Sequence, residues 1–194
     1  MVFKRIVNYV VIASLFVSIF AITALAAPTN IDKGNYDAVT VANIMDKTNV
    51  FELKAKAAVL MDASTGSVLL ENNMNEKLPF ASITKVMTML LVMEAVDSGK
   101  ITLEDIVSVS EYSAGMGGSQ VYLKPGEQFT VAEMLKAVAI HSANDASVAL
   151  AEKVAGSEEA FVAMMNEKAK ELGMYNTNFL DCTGLTDEGH YSCA

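Results

Sequence analysis

Ser82 and Lys85 stand three residues apart near the head of the stretch Pro79 to Val96, and they are the residue types a nucleophile and its base require. After Lys85 the only polar side chains in that stretch are Thr88 and Glu94, and the remainder is rich in Leu and Met. The pattern predicts a helix buried on all sides. A lysine one turn inside such a helix must be paired, reach water or lose its proton, because an unpaired buried ammonium is strongly disfavoured. Residues at i and i+3 share a helix face, about 4.5 Å apart along the axis. A serine beside a lysine of lowered pKa is an activated nucleophile. The plainer alternative is that Ser82 is an N-cap and Lys85 snorkels to solvent, and Ser-x-x-Lys alone does not decide between the two.

A second group follows at Ser142-Ala143-Asn144, in a break between two helical segments. Such breaks let side chains point into a cleft rather than a core. Ser and Asn are also good capping residues, so taken alone this triplet reads as the start of the next helix.

The elements that must position these residues are legible in outline. Ala57 to Met61 and Ser67 to Glu71 flank the turn residues Asp62 to Gly66, which predicts an antiparallel hairpin at one edge of a sheet. The helix carrying Lys85 should end near Asp97-Ser98-Gly99. Ile106 to Val109 reads as a short strand or extended piece, and Ser113 to Gln120, with three glycines, as a loop at the rim of the cleft. Thr130 with Glu133 forms a capping box for a helix through about Ile140. A second helix runs from Asp145 to Val154, and a third is capped by Ser157 and stopped by Gly173. The fold class is therefore α+β, a helical cluster around the buried helix of Ser82 plus an N-terminal hairpin. Asn176 to Leu180 should be extended, Asp181 to Gly189 a loop, and Tyr191 to Ala194 the first residues of another helix.

Before Ala57 the chain is of another kind. Lys4 and Arg5 precede an apolar run from Ile6 to Ala27 that closes on Ala24-Leu25-Ala26, which reads as a secretory leader over 1–26, cleaved after Ala26. An uncleaved anchor is the competing reading, since the run is nearly long enough to span a bilayer. Residues 27–50 read as a polar linker with one short helical turn at 39–45, and 51–194 as the folded domain. The location expected is extracytoplasmic, in the cell envelope. Without the leader the chain has 12 basic against 23 acidic residues, net −11, which argues against nucleic acid as a partner. Cys182 and Cys193 lack any metal or redox spacing and are expected to be free thiols, with no metal and no cofactor required. His141 and His190, the only histidines, are expected at a helix end and in a loop, so a histidine-based triad is not indicated. The twelve methionines are read as core filling.

Ser82-Ile83-Thr84-Lys85 followed by Ser142-Ala143-Asn144 resembles the penicillin-recognising serine enzymes. The order of Met61-Asp62-Ala63-Ser64-Thr65-Gly66, Pro79-Phe80-Ala81-Ser82, Gly117-Gly118-Ser119-Gln120 and Leu123-Lys124-Pro125-Gly126-Glu127 is similar to the low-molecular-mass D-alanyl-D-alanine carboxypeptidases of peptidase family S11. So are Asn144-Asp145-Ala146, Val154-Ala155-Gly156-Ser157, Leu172-Gly173-Met174, Thr183-Gly184-Leu185 and Glu188-Gly189-His190-Tyr191-Ser192, and the likeness runs from Ala57 to Ala194. The resemblance implies that Ser82 attacks the bond between the two terminal D-alanines of a peptidoglycan stem peptide while Lys85 takes its proton. It implies that Ser142 relays a proton towards the leaving amine, and that Asn144 binds the substrate amide and hydrogen-bonds Lys85. It also implies one oxyanion donor from the Ser82 backbone N–H, and β-lactam antibiotics as covalent inhibitors.

No Lys-Thr-Gly occurs anywhere in the sequence, although the family carries it on a strand that binds the substrate carboxylate and leads to the second oxyanion donor. The expectation is therefore an incomplete catalytic domain, the front of a longer enzyme, with little or no carboxypeptidase activity in residues 27–194 alone. The missing remainder would include any membrane-binding C-terminal tail; the leader, if uncleaved, is the other route to a membrane surface. Two rivals remain. A serine β-lactamase shares the first two motifs, but the Glu-x-x-Leu-Asn run of the best-known class is absent, since Glu171 is followed by Leu-Gly-Met-Tyr-Asn. A non-catalytic module that grips peptidoglycan through the same cleft is the other.

Overall fold

The computed structural model describes residues 53–193. The expected leader, the linker and its helical turn lie outside the described residues. Ala58–Met61 (β1) pairs antiparallel with Val68–Asn72 (β2), Leu60 opposite Leu70, with an irregularity before Met61. The turn is closed by Asp62, whose Oδ1 accepts from the N–H groups of Ser64 and Thr65 and from both hydroxyls. Among the described residues this hairpin is a two-stranded sheet of its own.

The chain then reaches a 3-10 turn, Ala81–Ile83, and passes directly into helix α1, Thr84–Asp97, which stops where Gly99 turns to φ +73°. Thr84, Lys85, Met87, Thr88, Leu91, Val92 and Ala95 are buried, a stripe at helical spacing. The expectation of burial on all sides is corrected here: Val86 is 62% exposed, and Leu90 and Met93 are 38% exposed. Val86 and Leu90 share an apolar groove with Leu78, Phe80, Ile83 and Leu172, and neither Ser82 nor Lys85 lines it. An apolar composition on every face cannot tell a helix enclosed by neighbours from one covered on a single side.

Ile106–Ser108 (β3) pairs antiparallel with Gln128–Thr130 (β4), Val107 opposite Phe129. β4 was not expected, because its three residues run straight into the helix-start signal at Thr130. Between these strands lies the single-turn helix α2, Glu111–Ala114, capped by Ser110. Helix α3, Val131–His141, carries the expected capping box of Thr130 and Glu133. Helix α4 is Asn144–Ala155, and helix α5, Glu158–Glu171, has Ser157 accepting from the Ala160 N–H. Glu158 and Glu159 in its first turn and Lys168 and Lys170 in its last complement the helix dipole.

The centre of the cluster is α4 rather than α1. Every residue from Asn144 to Ala151 is buried, and α4 packs against α1, α2, α3, α5 and β3. Its small side chains, Ala146, Ser147, Ala149 and Ala151, let four helices approach closely. The core around it includes Val92, Val107, Val131, Met134, Leu150, Phe161 and Met165.

The end of the chain also departs from expectation. Tyr191 and Ser192 do not begin a helix; they make isolated antiparallel bridges to Asn178 and Leu78. Ser192 exchanges backbone hydrogen bonds with Leu78 at 2.9 and 3.0 Å, which ties this segment to the approach of the 3-10 turn. A four-residue stretch with an alternating pattern carries no sign of such a partner more than a hundred residues away. Cys182 is buried, Cys193 half-buried, and both are free thiols. Among the described residues no helix is long and apolar enough to cross a membrane, and no cluster of three or more His, Cys, Asp or Glu is placed to hold a metal.

Candidate active site

Ser82 sits in the 3-10 turn with its side chain open to solvent, and Lys85 follows in the first turn of α1, where it is only 3% exposed. Residues three apart nearly eclipse in a 3-10 turn. The Lys85 Nζ accordingly lies 3.1 Å from Ser82 Oγ, and it donates to the carbonyl of Thr183 at 2.7 Å. Burial pushes the Lys85 ammonium below its ordinary pKa, and the charges of Cys182 and Asp181 act in the opposite sense. An amine held dry beside a hydroxyl is the arrangement in which a lysine can take a proton.

The Thr183 carbonyl belongs to a loop that sequence reasoning left without a role. Asp181 organises it: one carboxylate oxygen accepts from the Thr183 N–H at 2.7 Å, the Thr183 hydroxyl at 2.9 Å and the Gly184 N–H, and the other accepts from the Thr186 N–H at 2.8 Å. Burial alone would raise the Asp181 carboxyl, but the donors of Thr186, Gly184 and Thr183 outweigh it and hold the group at about 2. The Thr88 hydroxyl donates to the Cys182 carbonyl at 2.7 Å, a second tie between α1 and this loop. Gly184, at φ +82°, has no room for a Cβ, which would overlap the Ala81 carbonyl and press on Thr84 Oγ1.

His190 lies in a loop, as expected, but it is buried at 1% exposure, packed between Phe80 and Phe179. Its Nδ1 accepts from the Leu180 N–H at 3.1 Å, so Nε2 carries the proton and donates to Thr84 Oγ1 at 2.7 Å. The imidazole thus braces the residue next to Lys85. Asp181-x-Thr183 and the Gly184 that follows hint at this loop in the sequence, an Asx-type turn followed by a glycine.

Ser142 follows α3 in a left-handed conformation, φ +55°, and this bend turns the chain into α4. Asn144, the first residue of α4, donates from Nδ2 to the Gly117 carbonyl at 2.7 Å, and its backbone N–H donates to the Ser119 carbonyl at 2.7 Å. Asp145 fixes the same loop by accepting from the N–H groups of Val121 and Leu123. Gly118 allows the close approach: a Cβ there would come within 2.7 Å of Asn144 Nδ2 and 3.0 Å of Leu185 Cδ2. The glycine loop therefore lies between Asn144 and the segment that follows Thr183. The expected hydrogen bond between Asn144 and Lys85 is not made, because the Gly117 carbonyl takes the amide and Lys85 turns to Ser82 and Thr183.

Two buried side-chain atoms among the described residues have no hydrogen-bond partner, Ser142 Oγ and Asn144 Oδ1. Buried polar atoms are nearly always paired, so each such orphan needs an explanation. Both fall in the triplet at the break between α3 and α4. An exposed serine hydroxyl, a dry amine and two unsatisfied oxygens on packed elements suit acyl transfer to and from a peptide-like substrate.

This is the architecture of the penicillin-recognising serine enzymes. The family profile of the D-alanyl-D-alanine carboxypeptidases, peptidase S11, matches residues 39–194, and the chain belongs to that family. It is 60% identical over 148 residues to D-alanyl-D-alanine carboxypeptidase DacF of Bacillus subtilis, covering 76% of this chain and 38% of the relative. It is 41% identical to DacC of Escherichia coli, covering 93% of this chain and 42% of the relative. The chain thus spans about two fifths of the length of these curated relatives. Among solved structures it is similar to the D-alanyl-D-alanine carboxypeptidase DacD of Francisella tularensis, with a TM-score of 0.72 and 35% identity over 79% of this chain and 38% of that one. It is also similar to the ampicillin-bound form of penicillin-binding protein D2 of Listeria monocytogenes, with a TM-score of 0.65 and 30% identity over 76% of this chain and 59% of that one.

Proposed function

We propose that this chain carries the nucleophile half of a serine-type D-alanyl-D-alanine carboxypeptidase, which removes the terminal D-alanine from peptidoglycan stem peptides outside the cytoplasm. The observation that carries the reading is the Lys85 amine, 3% exposed and 3.1 Å from Ser82 Oγ. Neutral Lys85 takes the Ser82 proton as the oxygen attacks the penultimate carbonyl, and an ester to Ser82 forms while the peptide bond breaks. Ser142 passes a proton to the departing D-alanine amine. Water then hydrolyses the ester, with the same groups moving protons in reverse. Asn144 orients the substrate amide through Oδ1, the oxygen that no protein group pairs. β-Lactams, whose strained amide presents the same carbonyl, acylate Ser82.

The described residues hold no Lys-Thr-Gly, so residues 27–194 alone are expected to release D-alanine slowly. Loss of one oxyanion donor can lower the rate on the order of a hundredfold. The test uses the protein expressed from its complete reading frame. A fluorescent penicillin labels the wild type covalently and leaves Ser82→Ala unlabelled, and D-alanine release from a stem pentapeptide is lost in the same variant. Labelling that survives in Ser82→Ala would overturn the assignment, and rapid turnover of a chromogenic cephalosporin would favour a β-lactamase instead.

A further inference from the structure

The base in this site is held by a backbone carbonyl, and that carbonyl has an organiser of its own. Lys85 Nζ has two partners, Ser82 Oγ at 3.1 Å and the Thr183 carbonyl at 2.7 Å, and the second is the shorter. The direction in which the amine points at Ser82 therefore depends on where Thr183 sits. Thr183 is in a loop, and loops move unless something fixes them. Three contacts join this loop to the helix of Lys85 and the 3-10 turn before it: the Thr88 hydroxyl on the Cys182 carbonyl, Lys85 on the Thr183 carbonyl, and the close approach of Gly184 to Ala81. A single buried carboxylate shapes the loop from inside. Asp181 is 9% exposed and gathers the Thr183 N–H and hydroxyl, the Gly184 N–H and the Thr186 N–H.

We infer that Asp181 is a positioning residue for the acyl-transfer reaction, acting through the Thr183 carbonyl to aim the Lys85 amine at Ser82, an inference that rests on the reading of Lys85 as the base. The four donors bound by its two oxygens fix the peptide planes on both sides of Thr183, and the carbonyl that receives Lys85 is part of one of them. Its negative charge also acts on Lys85, favouring the ammonium against the effect of burial. The Cys182 thiol is itself pushed far up by burial, so Asp181 is the carboxylate whose charge the amine feels at neutral pH. A side chain that merely filled space in the loop would have neither effect.

Asparagine separates the two contributions. Its amide oxygen can still accept from Thr183 and Gly184, whereas its NH2 cannot accept from Thr186 and the charge is gone. The experiment follows the initial rate of Ser82 labelling by a fluorescent penicillin between pH 5 and 10, in the protein expressed from its complete reading frame. The wild-type rate should rise with pH as Lys85 loses its proton. Asp181→Ala should lower labelling on the order of tenfold or more at every pH, because a misaimed base loses its advantage of proximity. Asp181→Asn should recover most of that loss, and its rising limb should move to lower pH because a charge that favoured the ammonium has been removed. Wild-type rates and an unshifted limb in both variants would overturn the inference. So would an Asp181→Asn protein that folds yet is as slow as Asp181→Ala with its limb unmoved, since that would make the residue a structural brace only. A wild type that takes no label at any pH would instead sink the carboxypeptidase reading beneath it.

Discussion

Thr183 offers its carbonyl to the Lys85 amine at 2.7 Å across 98 residues of sequence, and this contact is shorter than the 3.1 Å between the same amine and Ser82. Local helix geometry brings the serine and lysine together, but a distant loop decides where the lysine points. That loop and His190 form a clasp on the junction of the 3-10 turn and α1: Gly184 closes on Ala81 and Thr84, and His190, packed on Phe80, donates to the Thr84 hydroxyl. Substitutions in the clasp should therefore alter acylation without touching the nucleophile, and each part of it has a distinct signature.

Gly184→Ala is the severest of these. The position needs φ +82°, and the added methyl would overlap the Ala81 carbonyl, which is backbone and cannot swing aside. Left-handed geometry costs an alanine about 1 kcal/mol before any clash is counted. The loop should lift from the turn and carry the Thr183 carbonyl away from Lys85. Penicillin labelling of Ser82 should fall on the order of tenfold or more, with a lower melting temperature. Thermal melts and labelling rates measured on the same preparation check it, and a variant with the wild-type labelling rate would refute the clasp.

His190 predicts a pH dependence of stability. Burial pushes its imidazole below its ordinary value of 6.5, and the nearby Asp181 carboxylate opposes that shift. The folded state therefore binds the proton more weakly than the unfolded chain does, and stability falls as pH drops from about 6.5 towards the folded value. Protonation would put a hydrogen on Nδ1, where the Leu180 N–H now donates. Melting temperature should be level above pH 7 and decline below 6.5. In His190→Gln the decline should flatten over that range, while the melting temperature at pH 8 drops by the equivalent of about 1 to 2 kcal/mol for the disturbed buried hydrogen bonds. Asp181 acts in a separate window. Its folded value of about 2 lies below the ordinary 3.8, so its stabilisation is complete above 3.8 and is lost as pH falls towards 2.

What the sequence could and could not reveal follows the range of the interactions. Ser82 and Lys85 are legible because they meet within one turn, and the dryness of Lys85 is legible because its helix has so few polar residues. The family motifs pointed to Ser142 and Asn144, the two residues whose side-chain oxygens are buried without a partner among the described residues. Thr183, Asp181 and His190 escaped because their partners lie about a hundred residues away or act through backbone groups, which leave no mark on residue type. The same blindness made α1 look enclosed: Val86, Leu90 and Met93 are as apolar as the buried face, and only packing tells them apart. It also hid the central place of α4, whose alanines look unremarkable in a sequence yet allow α1, α3 and α5 to crowd around it. The hairpin, the capping box of Thr130 and Glu133 and the glycine stops were legible because each is settled by a few neighbouring residues.

Ser142 separates stability from chemistry in a single residue. It adopts φ +55°, which an L side chain tolerates poorly, and its buried hydroxyl has no partner. Neither property helps the fold: the conformation costs about 1 kcal/mol or more, and an unsatisfied buried hydroxyl costs about 1 to 3 kcal/mol. Strain and an orphan polar atom at one position support the proton-relay role proposed for Ser142. Ser142→Gly relieves both, so its melting temperature should rise by a few degrees. Without the hydroxyl, the proton for the departing amine must come from water, and D-alanine release should fall on the order of a hundredfold. Ser142→Ala keeps the strain but removes the hydroxyl, so it should be as slow as the glycine variant and less stable than it. Melts and D-alanine release for the three proteins decide the matter. A glycine variant that is both stabler and fully active would reduce Ser142 to an ordinary helix end.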